Sequence, residues 1–173
     1  MNFNLDIPKM GYFLLVSNKG GWFGRNIEKM QRKAGYPEEA CRYTHVEILG
    51  GGPDSMRIGP PRSRRVDITK VYKGRYVRIV KYDNSQYLEG KRYKVAYFAA
   101  TLCNLGYDWR GCLRFIIKWI GHSKTFVFCS EGSAWALKKV FPGFQKGKNP
   151  EDFYPADFLN KKYFQVEWEG VIR

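Results

Sequence analysis

Five short segments of the chain carry the hydrophobic pattern of β-strands. Residues 11–17 form a continuous apolar run that ends in turn-forming residues, which predicts a buried strand. Residues 42–49 alternate with a period of two, as expected of a strand whose two faces differ. The other predicted strands are residues 55–59, which return from a turn at 50–54, residues 75–82 and residues 163–168.

Longer stretches with apolar residues three, four and seven positions apart predict helices. These are residues 24–33, residues 85–106, residues 109–120 and a segment that begins at Cys129 after the apolar run 125–128. Pro60, Pro61 and the basic residues after them break the pattern and predict an irregular loop. Because strands come first, helices follow and a strand closes the chain, the order indicates an α+β fold.

Composition and length place these elements in a single domain spanning residues 1–173. The chain is 44% hydrophobic and 17% aromatic, which is enough to bury one sizeable core. It contains no apolar run of about 18 residues, and its start lacks the basic flank and hydrophobic stretch of a signal peptide. We therefore expect no transmembrane segment and a cytoplasmic location, with a bacteriophage or mobile-element origin as a further hypothesis.

The net charge of +14 is large for this length and favours anionic partners. Much of it lies between Arg57 and Lys81, a segment that contains nine basic residues and one acidic residue, Asp67. The basic residues are Arg57, Arg62, Arg64, Arg65, Lys70, Lys73, Arg75, Arg78 and Lys81. This segment is either a patch for nucleic acid, lipid head groups or an anionic polymer, or a solvated face that aids solubility.

The four cysteines, at positions 41, 103, 112 and 129, are expected to be free thiols. The chain is large enough to fold without disulfides, and nothing marks it for secretion. No Cys-x2-Cys pair of the structural-zinc kind occurs among them. We expect neither a metal nor a cofactor.

Cys129 has the local setting of a reactive thiol. It lies where an apolar run meets the first turn of a predicted helix, and free backbone N–H groups at a helix start can lower a thiol pKa. A thiolate nucleophile needs a base, and His45 on the alternating strand is the better of two histidines. His122, in a Gly-His-Ser-Lys turn, is the minor alternative.

A third polar group must orient the base, and Glu47 is the first candidate. It follows His45 by two residues, so both side chains lie on one face of the strand, with roots about 6 to 7 Å apart. Asp54 in the following turn is the competitor. Glu131, in the first turn of the Cys129 helix, has the simpler role of compensating the helix dipole.

Five short motifs follow one another between residues 11 and 159. They are Gly11-Tyr-Phe-Leu-Leu-Val, Thr44-His-Val-Glu-Ile, Leu105-Gly-Tyr-Asp, Phe128-Cys-Ser-Glu and Pro155-Ala-Asp-Phe-Leu. In this order they resemble the circularly permuted branch of the NlpC-like papain superfamily, which contains YiiX-type and YaeF-type peptidase or amidase homologues. Lecithin retinol acyltransferase is a more distant member. His45 precedes Cys129 by 84 residues, which is the order that the permutation requires.

The resemblance implies a papain-like fold in which a small antiparallel sheet or half-open barrel is packed by helices, one of which carries Cys129. Two positions depart from the pattern. Tyr12 stands where the family commonly has Asp, and Met56-Arg57-Ile58 lacks the acidic residue that many relatives carry on that strand. The third catalytic residue therefore stays open between Glu47 and Asp54.

The leading hypothesis is a thiol hydrolase, a peptidase or amidase that works through an acyl-enzyme intermediate. Its substrate would be a cell-wall peptide, a peptide conjugate or another amide. A variant of the same fold would hydrolyse lipid esters or transfer acyl groups. The alternative of another class is a non-catalytic protein that holds nucleic acid with the basic segment and Tyr72, Tyr76 and Tyr82.

Overall fold

The computed structural model describes residues 9–107 and 126–173, where a six-stranded antiparallel sheet packs against helices. The α+β class expected from the sequence is thus confirmed. The sheet has the strand order β4-β3-β2-β1-β5-β8, and β6 and β7 form a separate parallel pair. The strands are β1 (Phe13–Ser17), β2 (Tyr43–Gly51), β3 (Asp54–Arg57), β4 (Arg64–Asp67), β5 (Tyr76–Tyr82), β6 (Gly106–Tyr107), β7 (Phe126–Val127) and β8 (Phe164–Val171).

Helices surround this sheet. The α-helices are α1 (Trp22–Lys33), α2 (Glu38–Cys41), α3 (Ile68–Val71), α4 (Glu89–Thr101) and α5 (Cys129–Val140), and Pro150–Asp152 and Pro155–Leu159 are 3₁₀-helices. Helix α5 packs against both α4 and β2. Within the described ranges, every helix is too short or too polar to cross a lipid bilayer.

Strand β1 lies in the middle of the sheet, and this position accounts for its continuous apolar sequence. Phe13 pairs with Ile48 of β2 on one side and with Val80 of β5 on the other. Leu14 and Leu15 point to opposite faces, yet both are fully buried. A strand covered on both faces has no need for alternation, because water reaches neither side.

An aromatic cluster anchors the far end of α5 to the sheet. The ring of Tyr82 on β5 lies 5.0 Å from that of Phe141, which follows α5, and 5.3 Å from that of Phe144. Edge-on aromatic pairs of this kind add about 0.5–1.5 kcal/mol each to the burial of their surface. Helix α5 is therefore held at its C-terminal end, while Cys129 lies at its N-terminal end against β2.

Helix α4 contacts Gly11, which lies two residues before β1. Gly11 has a φ of +82°, and a Cβ there would lie 2.5 Å from the carbonyl oxygen of Arg92. The Tyr87 hydroxyl donates a hydrogen bond to the Gly11 carbonyl. Only glycine accommodates both the positive φ and this main-chain approach.

The structure corrects the expectation of an irregular loop after Pro61. Arg64–Asp67 forms β4, which pairs with β3 and buries Val66, and Ile68–Val71 forms α3. The Asp67 side chain starts α3 by accepting a hydrogen bond from the Thr69 N–H, at 2.9 Å. Most charges of β4 point to solvent, so its pattern resembles a polar loop.

The helix expected over residues 85–106 is shorter than predicted, spanning Glu89–Thr101. It ends before Asn104, which adopts a left-handed φ of 73°. The last strand continues to Val171 rather than ending at 168. The helix expected over residues 109–120 lies outside the described residues.

Candidate active site

Cys129 is the first residue of α5 and is 4% exposed. Just before it, the Phe128 N–H donates to the Glu131 carboxylate at 3.2 Å, so the glutamate folds back over the helix start. Glu131, which was predicted to compensate the helix dipole, therefore caps the start of α5. The helix begins at the thiol because this contact satisfies a main-chain donor that has no acceptor within the helix.

The thiol of Cys129 contacts His45 and the main chain. The His45 imidazole and the backbone N–H groups of Val46 and Ser130 lie near enough to its sulfur to favour the ionised thiolate. The edge of β2 is open for this contact because β3 pairs with β2 only from Ile48 onward. The two residues predicted from sequence as nucleophile and base thus lie side by side.

Charge and hydrogen bonding set the protonation of this pair. Burial alone would raise the pKa of Cys129, but the nearby charge of His45 and then the two backbone donors lower it. Burial likewise disfavours a charged imidazole, yet Cys129 and then Glu47 raise the pKa of His45 to about 9. Both shifts favour a thiolate beside an imidazolium over a neutral thiol beside a neutral imidazole.

Glu47 forms a direct hydrogen bond with His45. The distance from His45 Nε2 to Glu47 Oε1 is 2.8 Å, so Nδ1 is the nitrogen left to face the thiol. Glu47 is fully buried, whereas 20% of the His45 side chain is exposed. Burial would raise the pKa of Glu47, but its hydrogen bonds to His45, Ser55 and Tyr72 keep it low.

Three further side chains hold Glu47 in place, and sequence reasoning missed their role. The Tyr72 hydroxyl donates to Oε1, the Ser55 hydroxyl donates to Oε2, and Arg57 Nε lies 3.7 Å from Oε1. They come from β3 and from the residue after α3, so no local spacing links them to β2. The carboxylate is fixed in orientation because both oxygens accept hydrogen bonds.

The other candidate residues lie apart from this arrangement. The Asp54 carboxylate pairs with Arg65 of β4, and its side chain is 28% exposed. Glu131 caps the start of α5. His122 lies outside the described residues.

The remaining described cysteines differ from Cys129 in electrostatics. Cys41, Cys103 and Cys129 are all free thiols. Burial raises the pKa of Cys41 and of Cys103, whereas the pKa of Cys129 is lowered. Among the residues that the structure describes, no three His, Cys, Asp or Glu side chains are grouped as metal ligands would be. Cys112 falls outside the described ranges.

A glutamine ties the start of β2 to the C-terminal part of the chain. Gln31 is fully buried, and its Nε2 donates to the carbonyls of Cys41 and Tyr43 at 2.9 and 3.0 Å. Its Oε1 accepts from the Ala156 N–H at 2.8 Å, within the Pro155–Leu159 motif. This clamp fixes the strand segment that leads into His45.

Much of the basic segment is neutralised within the fold. Arg78 pairs with Glu169 at 2.6 Å and Lys81 with Glu167 at 2.8 Å. Ion pairs to carboxylates also involve Arg57, Arg65 and Lys70. Of the tyrosines considered as stacking platforms, Tyr72 and Tyr82 are buried, and Tyr76 is half-buried. These rings do not offer open faces to nucleic acid bases.

Replacing Tyr72 with phenylalanine should weaken both the fold and the thiol. We expect a loss of about 1.5–3 kcal/mol in the free energy of unfolding, because the hydroxyl donates to a buried carboxylate. Without this donor the Glu47 carboxylate is held less firmly in the orientation that bonds His45, so the pH midpoint for alkylation of Cys129 should rise. Urea unfolding and the pH dependence of iodoacetamide labelling measure the two effects.

Tyr43→Phe is the matched control for this substitution. Tyr43 lies on the same strand as His45, and its buried hydroxyl has no hydrogen-bond partner among the described residues. Its removal should leave stability and alkylation nearly unchanged. Equal effects of the two substitutions would contradict a specific role for Tyr72.

The chain was also compared with known proteins. It matches no protein-family model and no curated protein sequence.

Proposed function

We propose that this protein is a thiol hydrolase, a peptidase or amidase that cleaves its substrate through an acyl-enzyme intermediate. The observation that carries the proposal is the series Cys129, His45 and Glu47, in which a thiol of lowered pKa lies beside an imidazole that is hydrogen-bonded to a buried carboxylate. A structural cysteine needs no such partner. Neighbouring groups of opposite charge whose pKa values are shifted are typical of active sites.

The proposed reaction begins with attack of the Cys129 thiolate on an amide carbonyl. A C–S bond forms, and the carbonyl electron pair moves to oxygen, where backbone N–H groups at the start of α5 stabilise the oxyanion. The His45 imidazolium gives its proton to the departing amine as the C–N bond breaks. The product of this half-reaction is a thioester on Cys129 and a free amine.

Water then hydrolyses the thioester. Neutral His45 takes a proton from the attacking water, and the Cys129 thiolate leaves as the acid product forms. Glu47 accepts a hydrogen bond from His45 Nε2 throughout and so keeps Nδ1 directed at the sulfur. An alcohol in place of the water would make the same site an acyltransferase, and an ester substrate would make it a lipid esterase.

The fold we propose is that of the permuted NlpC-like papain superfamily. Supporting it are the strand histidine that precedes the helix cysteine along the chain and the packing of α5 on β2. Four of the five sequence motifs fall wholly within the described residues, and three of them contribute to the site or brace it. They are the segments around His45, around Cys129 and at Pro155–Leu159.

Selective alkylation tests this proposal without a known substrate. We expect iodoacetamide to label Cys129 at least about tenfold faster than Cys41 or Cys103 at pH 7, because only its pKa is lowered. The labelling midpoint should lie below the usual cysteine range. Peptide mass mapping over a pH series gives the rate at each cysteine.

Solvent exposure and thiol pKa predict opposite orders for the labelling rates of Cys103 and Cys129. Cys103 is partly exposed whereas Cys129 is buried, so accessibility alone would favour Cys103. His45→Gln serves as the control, since it should remove the preference for Cys129. Faster labelling of Cys103 across the whole pH range would contradict the proposed thiolate.

A further inference from the structure

A groove runs between α4 and the C-terminal half of α5, away from Cys129. Its volume is about 490 Å³. Lys139 lies ten residues after Cys129 on α5, which corresponds to about 15 Å along the helix axis. We call this cavity the α4–α5 groove; it is lined mainly by Lys91, Tyr93, Lys94, Tyr97, Phe98 and Lys139.

The charge of the α4–α5 groove is positive. Its described lining contains three lysines and no carboxylate. A second cavity of about 420 Å³ shares Tyr93 and adds Lys9 and Arg92, with Glu89 as its one carboxylate among the described residues. The two cavities thus form a cationic path around the exposed face of α4, unlike the basic segment, where ion pairs cancel much of the charge.

Two tyrosine side chains along this path are exposed to solvent. Tyr93 and Tyr97 are 58% and 56% exposed, and their spacing of four residues places them on one face of α4. Packing of α4 against the protein is performed by other residues, namely the buried Val95, Ala96 and Ala99. The tyrosines therefore contribute little to the core.

Neighbouring rings support Tyr97. Phe98 lies edge-on to Tyr97 at 5.8 Å and to Trp135 at 5.9 Å. The Lys139 ammonium lies 5.3 Å from the centroid of the Trp135 ring. A braced aromatic surface loses little conformational entropy when a flat ligand stacks on it.

We propose that the α4–α5 groove binds single-stranded nucleic acid. Bases would stack on Tyr93 and Tyr97, and the backbone phosphates would follow Lys94, Lys139 and the other cations of the path. A concave site suits a flexible chain, whereas binding to a flat membrane uses apolar side chains that protrude. The inference is independent of the proposed hydrolase activity, because the groove contains none of the residues of the Cys129 site.

The test uses the 173-residue chain and a fluorescein-labelled oligothymidylate of about 15 nucleotides. Anisotropy titrations at several salt concentrations give the dissociation constant and its salt dependence. Tyr93→Ala with Tyr97→Ala should weaken binding by about tenfold per ring and leave the salt slope unchanged. Lys94→Ala with Lys139→Ala should reduce the magnitude of the slope of log K against log salt concentration by about 1.4.

Arg62→Ala with Arg64→Ala is the matched control, because these exposed cations lie near β4 and outside the groove. It should leave most of the affinity intact. The proposal is overturned if this control removes binding while the groove variants do not. It is also overturned if duplex DNA binds as tightly as the single strand, since paired bases cannot stack on tyrosine.

An anionic membrane is the competing partner, and vesicles containing phosphatidylserine test it. Binding to vesicles that depends on the groove residues, without binding to the oligonucleotide, would overturn the proposal in favour of a lipid surface. The alkylation rate of Cys129 should be unchanged in every groove variant, which verifies that each one is folded.

Discussion

Replacing Cys129 with alanine should abolish the thiol-dependent reaction of this protein. With p-nitrophenyl acetate as a generic acyl donor, the unmodified protein should release a burst of nitrophenolate stoichiometric with its concentration, because the thiolate becomes acylated. We expect the substitution to remove the burst and to lower turnover by about 10⁴-fold or more, as is typical when a nucleophile is deleted. Stopped-flow absorbance measures both quantities.

The fold should survive this substitution. Cys129 is a small side chain next to the edge of β2, and loss of one buried sulfur costs about 1 kcal/mol. The pKa of His45 should fall in the variant, because the thiolate is a main cause of its rise. Cys41→Ala is the control, since it removes a buried thiol of raised pKa and should leave the burst intact. A burst that persists without Cys129 would rule out this residue as the nucleophile.

Replacing Glu47 with glutamine should damage both stability and reactivity. The carboxylate is fully buried and hydrogen-bonded to His45, Ser55 and Tyr72, so its neutralisation removes a buried counter-charge from the imidazolium and leaves the Cys129 thiolate to balance it. Breaking a buried ion pair in this way costs about 3–5 kcal/mol, which corresponds to a drop in Tm of roughly 10 °C for a chain of this length. Calorimetry measures the Tm.

The reactivity of Glu47→Gln should change in a defined direction with pH. Without the carboxylate the pKa of His45 falls, so the imidazolium that lowers the Cys129 pKa is lost at lower pH. The midpoint of alkylation should therefore move toward the ordinary thiol range, and acylation near pH 7 should slow markedly.

Asp54→Asn separates the two acidic residues considered as the third member of the site. Its partner is Arg65 on β4, and exposed or half-exposed pairs contribute at most about 1 kcal/mol. We expect a small change in Tm and no change in the burst. The opposite result, with Asp54 essential and Glu47 dispensable, would show that His45 is oriented by another group.

Local pattern was enough to find the residues at the centre of the site. Alternation along β2 places His45 and Glu47 on one face, and their hydrogen bond of 2.8 Å lies within the reach expected for neighbours two residues apart. The position of Cys129 at a helix start follows from an apolar run that gives way to helical periodicity. Each of these features depends on residues close together in the sequence.

The support of Glu47 was not predictable in the same way. Tyr72 follows Glu47 by 25 residues, and its hydroxyl reaches the carboxylate only because β3, β4 and α3 fold back over β2. The sequence pattern was equally compatible with a solvated glutamate. Burial of Glu47 depends on strand pairing across the sheet, and an edge strand as charged as β4 is difficult to recognise from composition.

A side chain at position 11 would change the geometry of the Cys129 site although it lies outside that site. The missing Cβ of Gly11 allows main-chain atoms of α4 to approach the chain two residues before β1, and α4 in turn packs against α5, which carries Cys129. A larger residue would lift one helix, tilt the next and move the thiol away from His45, although neither side chain of the pair had changed. The geometry of the thiol and imidazole therefore depends on a residue that contributes no atom to the site.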